Sequence, residues 1–323
     1  MILGDWGLAL NILTIAILSV CFTVFLMSLF INRLEGLLLR FDASSRSLLL
    51  WFIVILPWFV SCACVAVLVF PELFIWKTLP FTSPLHWHHI YTFPLVSWHG
   101  ATIVLFSFLC LFLMLTKLLK ALKITSHLNQ LKDFLNPATL PNGCVLIESQ
   151  EISAFTSGFF RPQAYITRGL CDLLSKEESF IVQQHELAHA KYAHPLKKYI
   201  FSLFALFFPQ RVENKLNDSY ALSLEQLADD TVLKQTLDVT LISKTILRVV
   251  RLQGGVRVNQ REFIADCAFT AHPSALRIKY LLNDNKGRSF PYLFVFISTL
   301  TVLAINSFSV DYIHHSFEHL FSH

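Results

Sequence analysis

The residues best suited to chemistry lie in one pentapeptide, His185-Glu186-Leu187-Ala188-His189, which has the form H-E-x-x-H. Residues four apart on an α-helix share a face, so both imidazoles can reach one metal ion. Glu186 follows the first histidine directly, where it can take a proton from the water that attacks a substrate. The pattern predicts a hydrolytic zinc centre with His185 and His189 as ligands and Glu186 as general base.

A catalytic zinc ion needs a third protein ligand, and the acids of residues 223–233 (SLEQLADDTVL) supply candidates. Glu225 and Asp229 lie one helical turn apart and share a face. We predict that Glu225 binds zinc and that Asp229 accepts a hydrogen bond from a ligand imidazole, which fixes the tautomer of that ring. Asp230 faces elsewhere and is expected to be solvated. His194 is an alternative ligand, a transition-state donor or an ordinary structural histidine.

The helix that would carry the motif has a well-marked beginning. Ser175 and Glu178 form a Ser-x-x-Glu capping box before an apolar periodic run, which predicts a helix over residues 176–193. Three short β-like runs precede this helix: 144–148, 152–156 and 163–167. The motif is therefore expected in the second half of a helix that follows a small sheet.

Further helices are predicted on both sides of this unit. Residues 117–135 place leucines at roughly helical intervals, which is typical of an amphipathic helix leaving the membrane surface. The apolar stretch 199–209 is too short to cross a bilayer and predicts a buried or membrane-surface helix. Three more helices are expected, with Gly254 and Gly255 ending the second: 219–235, 236–253 and 273–283.

Composition excludes a wholly water-soluble protein. Of the 323 residues, 54% are hydrophobic and only 15% are charged, which is too apolar for a soluble domain of this size. The wealth of aromatic residues also excludes a disordered chain. Four segments are long enough to cross a bilayer and contain no Asp, Glu, Lys or Arg: 8–31, 48–70, 95–116 and 290–310.

Charge placement predicts the orientation of these spans. Of the 26 Lys and Arg residues, only Lys77 lies outside the two connections 32–47 and 117–289. The positive-inside rule places both connections in the cytoplasm and residues 71–94 outside. Because this asymmetry follows from topology, we predict no direct nucleic-acid binding.

The predicted fold class combines these features. It is an α-helical membrane protein with four transmembrane helices and a cytoplasmic, mainly α, zincin-type metalloprotease domain containing a small β-sheet. In chain order we expect a three-span region, the zinc metallopeptidase domain, a fourth transmembrane helix and a short histidine-rich outer tail: 1–116, 117–289, 290–310 and 311–323.

With these residues in place, the sequence resembles a known family. The segments AFTSGFFRPQAYITRGL, HELAHAKYAHPL and SLEQLADDTVL are similar to the integral-membrane antirepressor metallopeptidases typified by the beta-lactam sensors BlaR and MecR. The segment PSALRIKYLL and the three-plus-one arrangement of spans are also similar, so the resemblance covers nearly the whole chain. It implies a gluzincin in which His185, His189 and Glu225 hold zinc, Glu186 is the base and Asp229 supports a ligand.

The resemblance also implies partners and a location. Residues 152–157 would form an edge strand lining the cleft, with Ser153, Ala154, Phe155 and Thr156 as candidate substrate-binding residues. Such a strand can pair with an extended peptide; the alternative is an ordinary packed strand. The implied substrate is a cytoplasmic regulatory protein: a transcriptional repressor, the chain itself, or both. The implied location is the bacterial inner (cytoplasmic) membrane, where a homodimer is one open arrangement.

One departure from the family and two alternatives stand beside this interpretation. Family sensors carry a large extracellular domain after the last span, whereas this sequence ends at His323, so we expect no beta-lactam recognition of that kind. One alternative is a membrane quality-control protease similar to the HtpX group; the arrangement of spans and the PSALRIKYLL segment argue against it. The other is a non-catalytic receptor on the protease fold, which the complete His, Glu and Glu set argues against.

Most histidines lie on the predicted outer side. They are His86, His88, His89, His99, His314, His315, His319 and His323. Imidazole is the commonest ligand of transition metals, and on a helical tail His315 and His319 would share a face. We predict that metal or proton binding there replaces the sensor domain, the alternative being that these residues belong to the membrane interface.

Overall fold

The computed structural model describes residues 1–69, 90–133, 138–257, 273–283 and 287–321. The helices of this part are α1 (Asp5–Leu38), α2 (Ala43–Val69), α3 (Trp98–Asp133), α4 (Arg168–Leu173), α5 (Lys176–Lys191), α6 (His194–Ala205), α7 (Gln210–Thr236), α8 (Val239–Arg257), α9 (Pro273–Leu281) and α10 (Tyr292–Phe321). The strands are β1 (Ile2–Leu3), β2 (Thr92–Phe93), β3 (Ala138–Thr139), β4 (Val145–Ile147), β5 (Ala154–Ser157) and β6 (Gln163–Thr167).

Four helices contain stretches that could cross a membrane by length and composition. The stretches are Asp5–Ile31, Ala43–Val69, Trp98–Leu119 and Tyr292–Leu320. Each predicted span coincides with one of them, but the fourth stretch continues ten residues past the predicted end at 310, so most of the predicted tail 311–323 is helical. The amphipathic helix predicted over 117–135 is not a separate element, because α3 continues through the span to Asp133. The chain has no Gly or Pro between Gly100 and Pro137 that could end the helix earlier.

The sheet that precedes the motif helix has the strand order β3-β4-β6-β5. β4 pairs with β6 in parallel, whereas β5 pairs with β6 antiparallel, with Phe155 opposite Tyr165. The three predicted strands are confirmed, and β3 is an additional short strand that joins the outer side of β4. This order leaves β5 at an edge of the described sheet, as the resemblance implies.

In three helices, a boundary differs from the predicted one next to a proline or at a pair of glycines. α6 begins at His194, before the predicted start, because Pro195 at its first turn favours helix initiation. α7 begins directly after Pro209, which is its N-cap residue, and this start adds about two turns to the predicted helix. α8 passes through Gly254 and Gly255 to Arg257, since glycine weakens a helix by about 1 kcal/mol without necessarily ending it.

The apolar core is shared between α2, which is apolar and long enough to cross a membrane, and the helices around the site. Phe201 of α6 and Tyr220 of α7 are fully buried and stack at a centroid distance of 4.2 Å. Trp51 of α2 meets Phe201 edge-on at 5.4 Å and donates a hydrogen bond to the Tyr220 hydroxyl at 3.0 Å. Aromatic pairs of this kind contribute about 0.5–1.5 kcal/mol each beyond their burial. α2 and α7 are therefore held against each other.

A buried arginine adds a polar connection between the same helices. Arg46, which is 2% exposed, donates from Nε to Ser223 Oγ at 2.9 Å and from Nη2 to Gln226 Oε1. The Gln226 amide in turn donates to the carbonyl of Leu276 at 3.2 Å. This network ties α2 and α9 to α7 beside Glu225.

Candidate metal centre

Three of the predicted ligands converge between α5 and α7. His185 Nε2 lies 3.1 Å from His189 Nε2 and 3.2 Å from Glu225 Oε2. His189 Nε2 lies 3.6 Å from Glu225 Oε1. One ligand atom from each residue falls within 4.8 Å of the others. Two imidazoles and one carboxylate that face one point form a donor set that fits a catalytic zinc ion.

The position of α5 follows from its capping box, which confirms the prediction. Ser175 Oγ accepts from Glu178 N at 3.2 Å, and Glu178 Oε2 accepts from Ser175 N at 2.9 Å. Arg248 of α8 donates to both carboxylate oxygens of Glu178 at 2.7 and 3.0 Å. Burial raises the pKa of Glu178, but the bonds from Ser175 and Arg248 outweigh it and lower the pKa below its ordinary value. The helix that carries both histidines is thus anchored at its first turn.

Asp229 lies behind His185, where the sequence predicts a partner for a ligand. Its Oδ1 is 3.0 Å from His185 Nδ1, and the residue is 1% exposed. Arg277 of α9 donates to both Asp229 oxygens, at 2.8 Å from Nε and 2.6 Å from Nη2. Burial raises the pKa of Asp229, but the Arg277 and His185 bonds lower it below its usual value, so the carboxylate stays ionised. An ionised Asp229 keeps the proton of His185 on Nδ1 and leaves Nε2 for a metal.

The charge balance among the candidate ligands depends on the same neighbours. Burial and Arg277 lower the pKa of His185, whereas hydrogen bonds to Asp229 and Glu225 outweigh them and raise it to about 9. Burial raises the pKa of Glu225, but the bonds from both histidines hold it well below its ordinary value. Arg277 Nη1 and Lys198 Nζ also approach Glu225, each at 3.4 Å. A metal that binds here displaces a proton from His185.

His194 contacts a candidate ligand from the other side. Its Nδ1 lies 2.8 Å from His189 Nδ1, and the side chain is almost fully buried. Burial, followed by the charge of His189, lowers the pKa of His194 to about 3, so the ring is neutral. When His189 offers Nε2 to a metal, its Nδ1–H can donate to His194 Nδ1. The structure therefore places His194 behind His189 and not with the three ligand atoms.

The edge strand β5 lies against the motif helix. Thr156 Oγ1 is 2.8 Å from Glu186 Oε2 and 2.8 Å from the Glu186 carbonyl oxygen. Phe155, which points to the other face, stacks on Tyr165 at 5.2 Å. Ser153 precedes the strand and accepts from Thr167 N at 3.0 Å. The predicted strand residues are thus brought to the proposed base, through Thr156.

Three site residues differ from the sequence predictions or were missed by them. The PSALRIKYLL segment marks the position of Arg277, but its contacts with Asp229 and Glu225 depend on how α9 packs. Asp230 is not a free surface acid, because the Tyr280 hydroxyl donates to its Oδ2 at 2.9 Å. No sequence spacing predicts the contact of His194 with His189; the sequence shows only that His194 follows the motif closely.

Comparison with known proteins supports a peptidase. Residues 118–266 match the model of peptidase family M48, a range that includes the H-E-x-x-H motif, Glu225 and Asp229. No curated protein matches the chain. The fold, the site and this match together indicate a metallopeptidase domain joined to apolar helices able to cross a membrane. The match is to family M48 and does not support the narrower resemblance to the BlaR/MecR antirepressors.

Proposed function

We propose that the protein is a zinc endopeptidase of the cytoplasmic membrane that cleaves a cytoplasmic regulatory protein. The observation that carries the proposal is the convergence of His185, His189 and Glu225 on one point, beside a glutamate held by an edge strand. The orientation is supported by the concentration of Lys and Arg in the connections 32–47 and 117–289.

Each residue of the candidate metal centre has a defined task in this proposal. When bound, zinc would polarise the scissile carbonyl and acidify the attacking water. Glu186 accepts the proton of that water and returns it to the leaving amine. Thr156 orients the Glu186 carboxylate, while Asp229 and His194 hold the two ligand imidazoles in the required tautomers. Arg277 keeps Asp229 ionised and in place.

The strand β5 offers the substrate a backbone template. The carbonyl of Ser153 accepts a hydrogen bond from Thr167 at the end of β6. In antiparallel pairing, alternate residues bond to the neighbouring strand, so the N–H and C=O groups of Ala154 and Thr156 point away from β6 to the free edge. An extended peptide could add there as another strand. Because Thr156 also contacts Glu186, such a peptide would run past the general base.

The proposed substrate is a repressor or the chain itself, because the resemblance extends over the spans and the PSALRIKYLL segment. A quality-control protease is the second candidate, and the match to family M48 does not favour the antirepressor group over it. The two differ in the number of products. New protein N-termini would be identified in cells that express the active chain and in cells that express the Glu186→Gln variant. If the protein cleaves a repressor or itself, the N-termini found only with the active chain should come from one or a few regulatory proteins. Many products from damaged membrane proteins would instead establish quality control.

The peptidase itself is tested with full-length protein in lipid nanodiscs and unfolded casein as the probe. Glu186→Gln should bind zinc like the unmodified chain but cleave roughly 10²–10⁴-fold more slowly, because it loses the base and no ligand. Glu225→Ala should lose zinc from the motif, whereas the exposed Glu177→Gln on the same helix should change neither property.

Two results would contradict this assignment. Cleavage by Glu186→Gln at the unmodified rate would exclude Glu186 as base. Unchanged zinc binding by Glu225→Ala would mean that another acid completes the site. Glu213, one such acid, instead pairs with Lys117 at 2.7 Å.

A further inference from the structure

A second cluster of metal-binding side chains lies at the end of the apolar helices opposite the catalytic part. His99 is in the first turn of α3, and His314 and Glu318 are near the end of α10. One potential ligand atom from each residue falls within 4.8 Å of the others. His314 Nε2 and Glu318 Oε1 are 3.4 Å apart, and the rings of His99 and His314 are 5.6 Å apart.

The cluster is shielded and its walls are aromatic. His314 is 0% exposed and His99 is 7% exposed. Trp98 stacks on His99 at 3.7 Å and also touches the ring of His314, while Phe93 borders His99. Glu318 is the most accessible member, which leaves a route for an ion from solvent. Ionisable side chains buried in apolar helices are costly and commonly mark functional sites.

We propose that His99, His314 and Glu318 bind a divalent transition-metal ion, with Zn²⁺, Cu²⁺ and Ni²⁺ as the candidates. Two imidazoles and a carboxylate suit these ions and offer little to Mg²⁺ or Ca²⁺, which select oxygen ligands. The bound ion ties the beginning of α3 to the end of α10. This site is independent of the proposed peptidase centre, although its donor set is the same.

The sequence singles out His315 and His319 among the outer histidines, whereas the metal-binding cluster contains His99 and His314. His315 does not join the cluster; its Nδ1 lies 2.9 Å from the Asp311 carbonyl, and its side chain is 41% exposed. His315 and His319 share a face of α10, as predicted, but the group of three potential ligands on the described residues is His99, His314 and Glu318. His86, His88, His89 and His323 lie outside the described residues.

The site joins the two helices that lead into and out of the catalytic part. α3 runs unbroken from His99 to Asp133, just before the sheet, and α10 follows α9, which carries Arg277. An ion that fixes the two helix ends therefore acts on both connections to the metal centre. Regulation of cleavage by this ion is the part of the inference that rests on the proposed function.

Binding is measured by calorimetry on chelator-treated full-length protein in nanodiscs, with Zn²⁺, Cu²⁺ and Ni²⁺ each added alone. The unmodified protein should bind two equivalents of at least one ion. His99→Ala/His314→Ala should bind one, and His185→Ala/Glu225→Ala should retain the other. The neighbouring His315→Ala is the matched control and should bind two.

Glu318→Gln is a second test that keeps the shape of the site. It is needed because His99→Ala/His314→Ala could lose binding through a packing defect. Its second equivalent should bind at least about tenfold more weakly, as even an outer partner of a ligand contributes that much. The proposal is overturned by a second equivalent that survives unchanged in both His99→Ala/His314→Ala and Glu318→Gln. It is equally overturned by an unmodified protein that binds no second equivalent of any of the three ions.

Cleavage of casein by zinc-loaded protein tests the regulatory part. Adding the second ion should change the rate about fivefold or more in the unmodified and His315→Ala proteins, and leave His99→Ala/His314→Ala unaffected. Equal responses in all three would refute regulation through this site. A chain that cleaves nothing would refute the proposed function instead, while the calorimetric stoichiometry would still decide whether the metal site exists.

Discussion

The two ligand histidines differ in what stands behind them. His185 is backed by the anionic Asp229, which Arg277 holds with two hydrogen bonds. His189 is backed by the neutral ring of His194. A carboxylate partner raises the basicity of the ligand it touches more than a neutral imidazole does. The electrostatic support for the metal therefore comes mainly through His185.

Replacement of Asp229 by Asn tests this difference. Asp229→Asn removes the anion behind His185 and should weaken zinc binding about 10–100-fold, with a parallel loss of cleavage at limiting zinc. Affinity would be measured by competition with a chelator of known strength. The adjacent Asp230→Asn is the control, since Asp230 accepts from Tyr280 and is not one of the three grouped ligand residues. Equal affinities of the two variants would contradict the assigned task of Asp229.

Local spacing accounts for the part of the site that could be predicted from the sequence. His185 with His189 and Glu225 with Asp229 are each one turn apart, so a helix alone places each pair on one face. Arg277 lies 48 residues from Asp229, and Arg46 lies 180 residues from Gln226. Such contacts depend on which helices pack together, and no short-range pattern encodes them.

At the scale of elements, the sheet edge decides how a substrate could bind. β5 is pinned on one side by β6 and touches the motif helix through Thr156. The hairpin that returns the chain to β6 contains Gly158 at φ 106°, where a Cβ atom would lie 2.7 Å from the Arg161 carbonyl oxygen. Glycine at this position lets β5 end close to β6 without strain.

Proline substitutions separate the two edges of β5. Ala154→Pro removes an N–H that points to the free edge, so substrate pairing should weaken and KM should rise several-fold, while zinc binding persists. Phe155→Pro removes an N–H that pairs with β6 and should instead lower the unfolding temperature. Steady-state kinetics and thermal unfolding of both variants make the comparison. A normal KM in a well-folded Ala154→Pro protein would exclude pairing at this edge.

The existence of the helices was predictable, and so was the start of α5, whereas most other helix boundaries were not. The capping box of α5 is a local signal, and it marks the observed start of the helix at Lys176. The extension of α3 beyond its span and the passage of α8 through two glycines are governed by the absence of a strong breaker and by packing. Both lengthen helices that the pattern alone would shorten.

For the whole molecule, orientation is the property that decides where any product is released. The observed third stretch begins at Trp98, which leaves the fully exposed Val96 just before it. The charge asymmetry then predicts that Val96 faces the outside and that the exposed Gln150 faces the cytoplasm. In a chain whose native cysteines are replaced, Val96→Cys should react with a membrane-impermeant maleimide in intact cells. Gln150→Cys should react only after the cells are permeabilised. The reverse pattern would place the metal centre outside and exclude a cytoplasmic substrate.

The contact of Trp51 with Phe201 and Tyr220 has a consequence for what counts as an autonomous unit. The three rings come from α2, one of the helices able to cross a membrane, and from two helices of the catalytic part, and they share one core. Unfolding of either part would expose the apolar surface of the other, so the two should melt in a single cooperative transition. A catalytic fragment without α2 would expose this apolar surface to water and tend to aggregate. In thermodynamic terms α2 belongs to the core of the peptidase domain as much as α6 and α7 do.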